Sequence, residues 1–264
     1  MTSPTAAMTK PGEISGWPKL QIVYRTDAER IADLLPPGIT PGTNPYVYIN
    51  IYCVPVLGEP EYGVSTKVEA DFEGMKGMYS LGMGIDQEAA IFISQEVNGQ
   101  PKFPCSIKFF RLGDHVEATC THQGYTFLEF RGESTGDLAV EAEPYEENEW
   151  WIKCSRAVGG VEKQYDMAPR VVRVHTTNQM HRAEGLDGDL TLRDSPWDPY
   201  TELLPMHEQI SATLATVTQP RREITPAGPL DPIAFWPYAD VIGGSRWPGE
   251  RGGPRRHHGA MLGR

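Results

Sequence analysis

Polar and apolar residues alternate along several short stretches of the chain, which is the pattern of a half-buried β-strand. The clearest stretch is 46–54, in which valine and isoleucine at 47, 49 and 51 alternate with Tyr48, Asn50 and Tyr52. Similar runs predict strands near 79–85, 91–93, 107–111, 115–121, 125–130, 150–154 and 171–175. Many short strands at this spacing predict an antiparallel sheet or barrel.

Three other segments interrupt this pattern. Thr26 or Asp27 can cap a short helix that presents Ile31 on its apolar face and ends before Pro36. Residues 201–216 also have helical spacing, with Pro205 either kinking the helix or marking its start. The acidic segment 137–149 predicts a solvated loop or helix face.

Composition agrees with short strands joined by turns in one domain. The 264 residues include 27 Gly and 23 Pro, more than usual but below the level of a disordered chain. Residues 1–18 are polar and proline-containing and predict a flexible N-terminal arm. We expect a single domain at 19–242, followed by a Gly/Pro/Arg-rich mobile tail at 243–264.

Charge and motifs exclude several classes of function. The net charge of −11 argues against a nucleic-acid partner, since phosphate binding needs a cationic face. No apolar run is long enough to cross a membrane, and the N-terminus lacks the features of a signal peptide. The four cysteines form no C-x-x-C pair. We therefore expect a cytoplasmic protein with no membrane partner.

The chain also lacks motifs for bound groups. It has no phosphate-binding or dinucleotide-binding glycine motif, no nucleophile elbow and no H-E-x-x-H pair. The sequence predicts no cofactor and no metal.

Lys102 is the residue with the strongest indication of chemistry. It lies between Pro101 and Pro104, with bulky apolar residues on both sides. Burial in apolar surroundings disfavours an ammonium ion and lowers the pKa of a lysine. A neutral amine attacks ketones and aldehydes and forms an iminium, which withdraws electrons from neighbouring bonds. The alternative is a surface lysine whose stem covers apolar residues.

Several segments occur in an order and spacing that point to a family. They are 24–29 followed by 34–36, then 72–79 (F-E-G-x-x-G-x-Y), 96–102 (E-x-x-G-x-P-K), 188–192, 198–199 and 204–205. Together they resemble the acetoacetate decarboxylase superfamily over roughly residues 18 to 220. The resemblance implies an α+β, mostly antiparallel β fold, with a large bent sheet closed into a cone-like barrel and a few flanking helices. It also implies a homo-oligomer.

The resemblance also implies roles for individual residues. Lys102 would form the Schiff base, and Arg25 would face the substrate carboxylate, a role that suits a bidentate guanidinium. An ion pair with Asp27 or Glu29 is the alternative for Arg25. Glu96 would orient Lys102 or serve a structural role at the end of its element.

Two departures from the family pattern affect the expected reaction. Acetoacetate decarboxylases carry a second lysine after the catalytic one, whereas this chain has Phe103. The family also carries a Tyr-x-Glu motif, but Tyr62 is followed by Gly63 and Val64. The nearby Glu61 is expected to point in another direction on the strand.

A divergent branch of the superfamily keeps one lysine and acts as an aldolase–dehydratase on pyruvate and aldehydes. Asn98 occupies the place of its polar residue four positions before the lysine, and Tyr238 could be its C-terminal proton-shuttling tyrosine. Asn98 could instead be a turn residue, and Tyr238 could pack against the barrel. Phe103, Tyr62 and Tyr79 complete the expected substrate-binding residues.

These observations leave three hypotheses. The first is a lysine Schiff-base lyase that performs aldol, retro-aldol or dehydration chemistry on a small oxo acid. The second is a decarboxylase of β-keto acids that uses the same lysine. The third is a non-catalytic barrel that binds a metabolite.

Overall fold

The computed structural model describes residues 15–56, 58–141 and 143–242, and strands dominate these ranges. The strands are β1 (Ser15–Arg25), β2 (Ile39–Pro41), β3 (Tyr46–Val56), β4 (Glu59–Phe72), β5 (Met75–Ile85), β6 (Lys102–Pro104), β7 (Ser106–Leu112), β8 (His115–His122), β9 (Tyr125–Leu138), β10 (Tyr145–Arg156), β11 (Tyr165–Leu192) and β12 (Glu208–Pro229). The helices are α1 (Ala28–Leu34), α2 (Glu88–Asn98), α3 (Tyr200–Leu203) and α4 (Pro232–Phe235), followed by a 3₁₀ helix (Trp236–Ile242).

Seven strands close into a ring within one large, mostly antiparallel sheet. Their order is β10-β5-β4-β3-β1-β12-β11, and β10 also pairs with β11. The pairings β10–β5 and β5–β6 are parallel. Strands β9, β8 and β7 extend the sheet beyond β11, and β7 contacts β3, β4 and β5. The expected mostly antiparallel α+β fold is confirmed.

Strand alternation gives the ring two buried faces. On β3, Val47, Ile49 and Ile51 are fully buried and belong to the main hydrophobic core. That core also contains residues of β7–β9, so it lies on the outer side of the ring. Tyr48 and Tyr52 point to the opposite side, as strand geometry requires, and line an internal cavity.

Three local expectations were wrong. Residues 91–93 lie in α2, not in a strand, because a short apolar run fits a helix as well. Within 201–216, α3 ends at Leu203 and β12 begins at Glu208, because Pro205 interrupts the helix and β12 pairs with both β1 and β11. The acidic segment is not simply a solvated loop, because Glu149 lies in β10 and is buried.

The boundaries of the domain are described only in part. Strand β1 begins at Ser15, within the region expected to be a flexible arm. The expected tail at 243–264 lies outside the described residues. None of the helices in the described ranges has the length and apolar character needed to cross a membrane.

We predict that Gly99 is required for the junction between α2 and β6. Its φ of 68° is in the left-handed region, and an added Cβ would lie 2.4 Å from the carbonyl oxygen of Ile152. Gly99→Ala should therefore lower the free energy of unfolding by about 3 kcal/mol or more. Urea denaturation measures this loss.

Gly113→Ala is the matched control for this substitution. Gly113 has a similar φ of 62°, but nothing lies within 4 Å of its added Cβ. The control should lose only the conformational cost of about 1 kcal/mol. Equal losses in the two variants would mean that close packing at Gly99 is unimportant.

Candidate active site

The junction between α2 and β6 holds Lys102 by its backbone. Gly99 ends the helix, and after Pro101 the chain enters β6 beside β5. The Lys102 amide donates to the carbonyl of Gln100 at 2.7 Å, and the Met83 amide donates to that of Pro101 at 2.9 Å. The Gln95 side chain donates to the carbonyl of Lys102. These contacts fix the backbone from which the lysine side chain extends.

The amine of Lys102 lies beside a buried carboxylate. Its Nζ is 3.3 Å from Oε2 of Glu61, and the two side chains are only 9% and 4% exposed. Burial lowers the pKa of Lys102, and the negative charge and hydrogen bond of Glu61 partly oppose this effect. The net result is a pKa below the ordinary value for lysine. A larger share of the amine is therefore neutral and nucleophilic.

The expectation that Glu61 points elsewhere was wrong. On β4, residues 61, 63 and 65 share the face of the ring that surrounds the cavity, whereas Tyr62 packs against the outer core. Position 64, where the family pattern has its acid, is Val64 in this chain and belongs to the outer core. Alternation along the strand brings Glu61 to the lysine instead.

The cavity that contains this pair has a volume of about 630 Å³. All seven ring strands contribute to its lining, and α2 adds four residues. The lining contains four basic and three acidic side chains, which are Lys19, Lys67, Lys102, Arg222, Glu61, Glu147 and Glu149. The lowered pKa values of Lys102 and Lys19 reduce the positive charge of this lining, so the guanidinium of Arg222 is the group best suited to an anionic ligand.

A second charged group forms another part of the lining. Glu149 contacts Lys67 and accepts hydrogen bonds from the Ser80 hydroxyl at 2.7 Å and the Trp151 indole at 2.5 Å. Burial would raise the pKa of Glu149, but Lys67 and these donors hold it below its usual value. Burial lowers the pKa of Lys19 to about 8, against the opposing charge of Glu147.

Two of the residues expected at the site come together in the cavity. Lys102 and Asn98 both line it. Phe103 is buried and faces a second groove of about 800 Å³, which Lys102 also lines, and its ring centroid lies 4.9 Å from that of His122. Adjacent residues of a strand point to opposite sides, so Phe103 does not line the cavity that holds Lys102 and Glu61.

The structure does not bring Arg25 or Glu96 into this cavity. Arg25 is exposed and pairs with Glu208 at 2.8 Å, so neither suggested partner, Asp27 or Glu29, is the acid in that ion pair. Glu96 is exposed on α2, and its carbonyl accepts a hydrogen bond from Lys153.

The three expected tyrosines lie outside the cavity lining. Tyr62 packs on the outer core, and its side chain is hydrogen-bonded to Cys53. Tyr79 is buried in that core, where burial and the nearby Tyr238 raise its pKa. The Tyr238 hydroxyl donates to the carbonyl of Asp33 at 3.3 Å, and its ring stacks on Phe235.

Sequence reasoning missed Tyr52 and Arg222, which both line the cavity. The alternation on β3 was visible and could have identified Tyr52. No sequence motif marks Arg222, and its place in the cavity depends on the pairing of β12 with β11. The positive charge of Arg222 contributes to the lowered pKa of Lys102. No group of three or more metal-ligating side chains occurs among the described residues.

Comparison with known families agrees with this architecture. The sequence matches the family described as acetoacetate decarboxylase (ADC) over residues 1–221. The chain belongs to the acetoacetate decarboxylase family. Membership supports an enzyme of lyase type that depends on a lysine, consistent with the position of Lys102. None of the curated proteins compared with the chain matches it.

Solved structures share the fold at low sequence identity. An acetoacetate decarboxylase has a TM-score of 0.72 and 19% identity, covering 85% of this chain and 92% of its own. The acetoacetate decarboxylase from Legionella pneumophila has a TM-score of 0.69 and 17% identity, covering 88% and 92%. The enduracididine biosynthesis enzyme MppR, complexed with the condensation product of pyruvate and imidazole 4-carboxaldehyde, has a TM-score of 0.64 and 16% identity, covering 83% and 91%.

We predict that Glu61→Gln lowers the pKa of Lys102 further. The carboxylate favours the ammonium form, so its removal leaves burial unopposed. Labelling with 2,4-dinitrofluorobenzene across a pH series, followed by peptide mass spectrometry, measures the change. The half-labelling pH of Lys102 should move downward, whereas that of the exposed Lys108 should be the same in both proteins. An upward or absent shift at Lys102 would contradict the proposed effect of Glu61.

Proposed function

We propose that this protein is a lysine Schiff-base lyase for a small oxo-carboxylic acid, acting by aldol, retro-aldol or dehydration chemistry. The observation that carries the proposal is the amine of Lys102, which is buried beside Glu61 in a polar cavity and has a lowered pKa. A lysine of this kind is a nucleophile for carbonyl carbons.

Glu61 is positioned to move protons while the Schiff base forms. The neutral amine of Lys102 adds to the carbonyl carbon, and the resulting alkoxide takes up a proton from solvent to give a carbinolamine. Loss of water then gives the iminium, and the departing hydroxyl needs a proton. At 3.3 Å from Nζ, Glu61 can accept a proton from the attacking nitrogen and return it to this hydroxyl. The iminium then withdraws electrons from the bonds next to it.

Arg222 is the residue that we assign to the substrate carboxylate. It lines the cavity, and its charge acts on Lys102 from across the ring. Its guanidinium carbon lies 5.7 Å from the ring centroid of Trp151, a position that restricts the side chain. Arginine pairs with carboxylates through two parallel hydrogen bonds, which would fix the orientation of the carbonyl.

Asn98 provides a neutral polar group in the same cavity. It is the last residue of α2, and its amide both donates and accepts hydrogen bonds. This suits the binding of a water molecule or of a hydroxyl that leaves during dehydration.

Two reactions remain consistent with this site. The similarity to MppR, which was solved with a condensation product of pyruvate and an aldehyde, supports aldol and dehydration chemistry. Family membership and the higher TM-scores of two acetoacetate decarboxylases support decarboxylation of a β-keto acid as the second candidate. Both reactions pass through an iminium at Lys102.

We predict that sodium borohydride traps pyruvate or acetoacetate on Lys102, because it reduces an iminium to a stable amine. Digestion and mass spectrometry locate the adduct. Lys102→Arg should abolish it, whereas Lys108→Arg at an exposed position should not. Carbon dioxide release from acetoacetate would favour decarboxylation. The absence of any adduct on folded wild-type protein would favour a metabolite-binding ring without catalysis.

We also predict that Arg222→Gln weakens the binding of oxo acids. The loss of a charge-assisted pair should raise the pyruvate concentration for half-maximal trapping by about tenfold or more. Arg221→Gln is the matched control, because the neighbouring Arg221 is exposed and pairs with Glu223 at 2.6 Å. Equal behaviour of the two variants would exclude Arg222 as the carboxylate ligand.

A further inference from the structure

Tyr52 covers a glycine on the neighbouring strand. It faces the cavity from β3 and pairs with Gly63 of β4. A Cβ added to Gly63 would lie 2.2 Å from Cζ of Tyr52 and 2.4 Å from its hydroxyl oxygen. The end of the phenol ring therefore occupies the space that any side chain at position 63 would need. Glycine at this position allows the hydroxyl to lie directly over β4.

The hydroxyl of Tyr52 is thereby placed near the reactive amine. Position 63 lies between Glu61 and Ser65 on the same face of β4, about 7 Å along the strand from each. Glu61 contacts Lys102 at 3.3 Å, and Ser65 pairs with Met83, which in turn pairs with Lys102. The phenol, the carboxylate and the amine therefore share one end of the cavity.

The surroundings of Tyr52 keep its hydroxyl protonated. Burial raises the pKa of Tyr52, and the negative charge of Glu61 raises it further. At neutral pH the hydroxyl therefore carries a proton.

The other tyrosine that lines the cavity already has a hydrogen-bond partner. The Tyr48 hydroxyl donates to Glu69 at 2.7 Å. Tyr238, which the family resemblance suggested as a proton shuttle, donates to the carbonyl of Asp33 and does not line the cavity.

We propose that Tyr52 is a catalytic acid that delivers its hydroxyl proton to the enamine carbon formed at Lys102. This inference rests on the proposed Schiff-base function. It adds to Lys102, Glu61 and Arg222 a group that can act on the carbon next to the iminium. Glu61 then transfers protons at the nitrogen, and Tyr52 protonates the carbon.

The proton and electron changes of this step balance. The electron pair of the enamine double bond forms a new C–H bond with the hydroxyl proton of Tyr52. The nitrogen lone pair closes the iminium, and a phenolate remains. Hydrolysis of the iminium by water then regenerates the Lys102 amine and the carbonyl product, and it releases one proton. That proton returns to the phenolate, so no oxidant, reductant or further reactant is needed.

The test separates iminium formation from proton transfer to carbon. Pyruvate is the probe, and borohydride trapping on Lys102 reports the iminium. Exchange of the pyruvate methyl protons in D₂O, followed by proton NMR, reports transfer at carbon, because the enamine must be protonated for exchange to occur. Tyr52→Phe retains the ring that covers Gly63 and removes only the hydroxyl. Thermal unfolding of each variant verifies that it is folded.

We expect Tyr52→Phe to be trapped within about twofold of wild type while its methyl exchange falls by about 100-fold, which is typical for loss of general acid–base catalysis. The matched control is Tyr46→Phe, at the start of the same strand and outside the cavity lining, and it should exchange like wild type.

Each contrary outcome has a distinct meaning. Exchange at the wild-type rate in Tyr52→Phe would overturn the role of Tyr52 and leave the Schiff base intact. Loss of trapping in this variant would place the hydroxyl before iminium formation and also overturn the proposed step. A wild-type protein that is trapped but shows no exchange would do the same. A wild-type protein without an adduct would overturn the proposed function together with this inference.

Discussion

The pairing of β10 with both β5 and β11 closes the ring, and the cavity exists only because of this closure. The seam between β10 and β5 is short, since it joins only Glu149 to Met78 and Trp150 to Tyr79. Side chains strengthen it, because Glu149 of β10 binds Lys67 of β4 and Ser80 of β5. The same carboxylate thus joins three strands and forms part of the cavity lining.

Closure also determines the electrostatics of the site. Charged side chains inside a ring cannot be fully hydrated, so each one needs a nearby charge or hydrogen-bond partner. Glu61 supplies that partner for Lys102, and Glu149 supplies it for Lys67. The two pairs differ in the net effect of burial and of the partner carboxylate on the lysine. The pKa of Lys102 is lowered, whereas that of Lys67 is raised. One lysine is held as a cation, and the other is made available as a nucleophile.

Alternation in the sequence predicted several of the strands, and the motif around Lys102 selected a lysine that lies in the cavity, but most of the other cavity residues could not be predicted. Alternation identified β3, and the short motif around Gly99 and Pro101 identified Lys102. The motif says nothing about cross-strand neighbours, which depend on register, and so it missed Arg222 and misplaced Glu61. Residues 91–93 were assigned to a strand because a short apolar run has no distinguishing period.

Alternation along the ring strands also assigns fold stability and cavity lining to different residues. Outward residues such as Ile49 and Val64 belong to the core that stabilises the fold, whereas the residues between them line the cavity. A substitution on the inner face therefore leaves the outer packing largely unchanged. Because each ring strand supplies only a few cavity positions, the pocket can change one strand at a time. Such a scaffold can diverge towards new substrates by small mutational steps while its stability is retained.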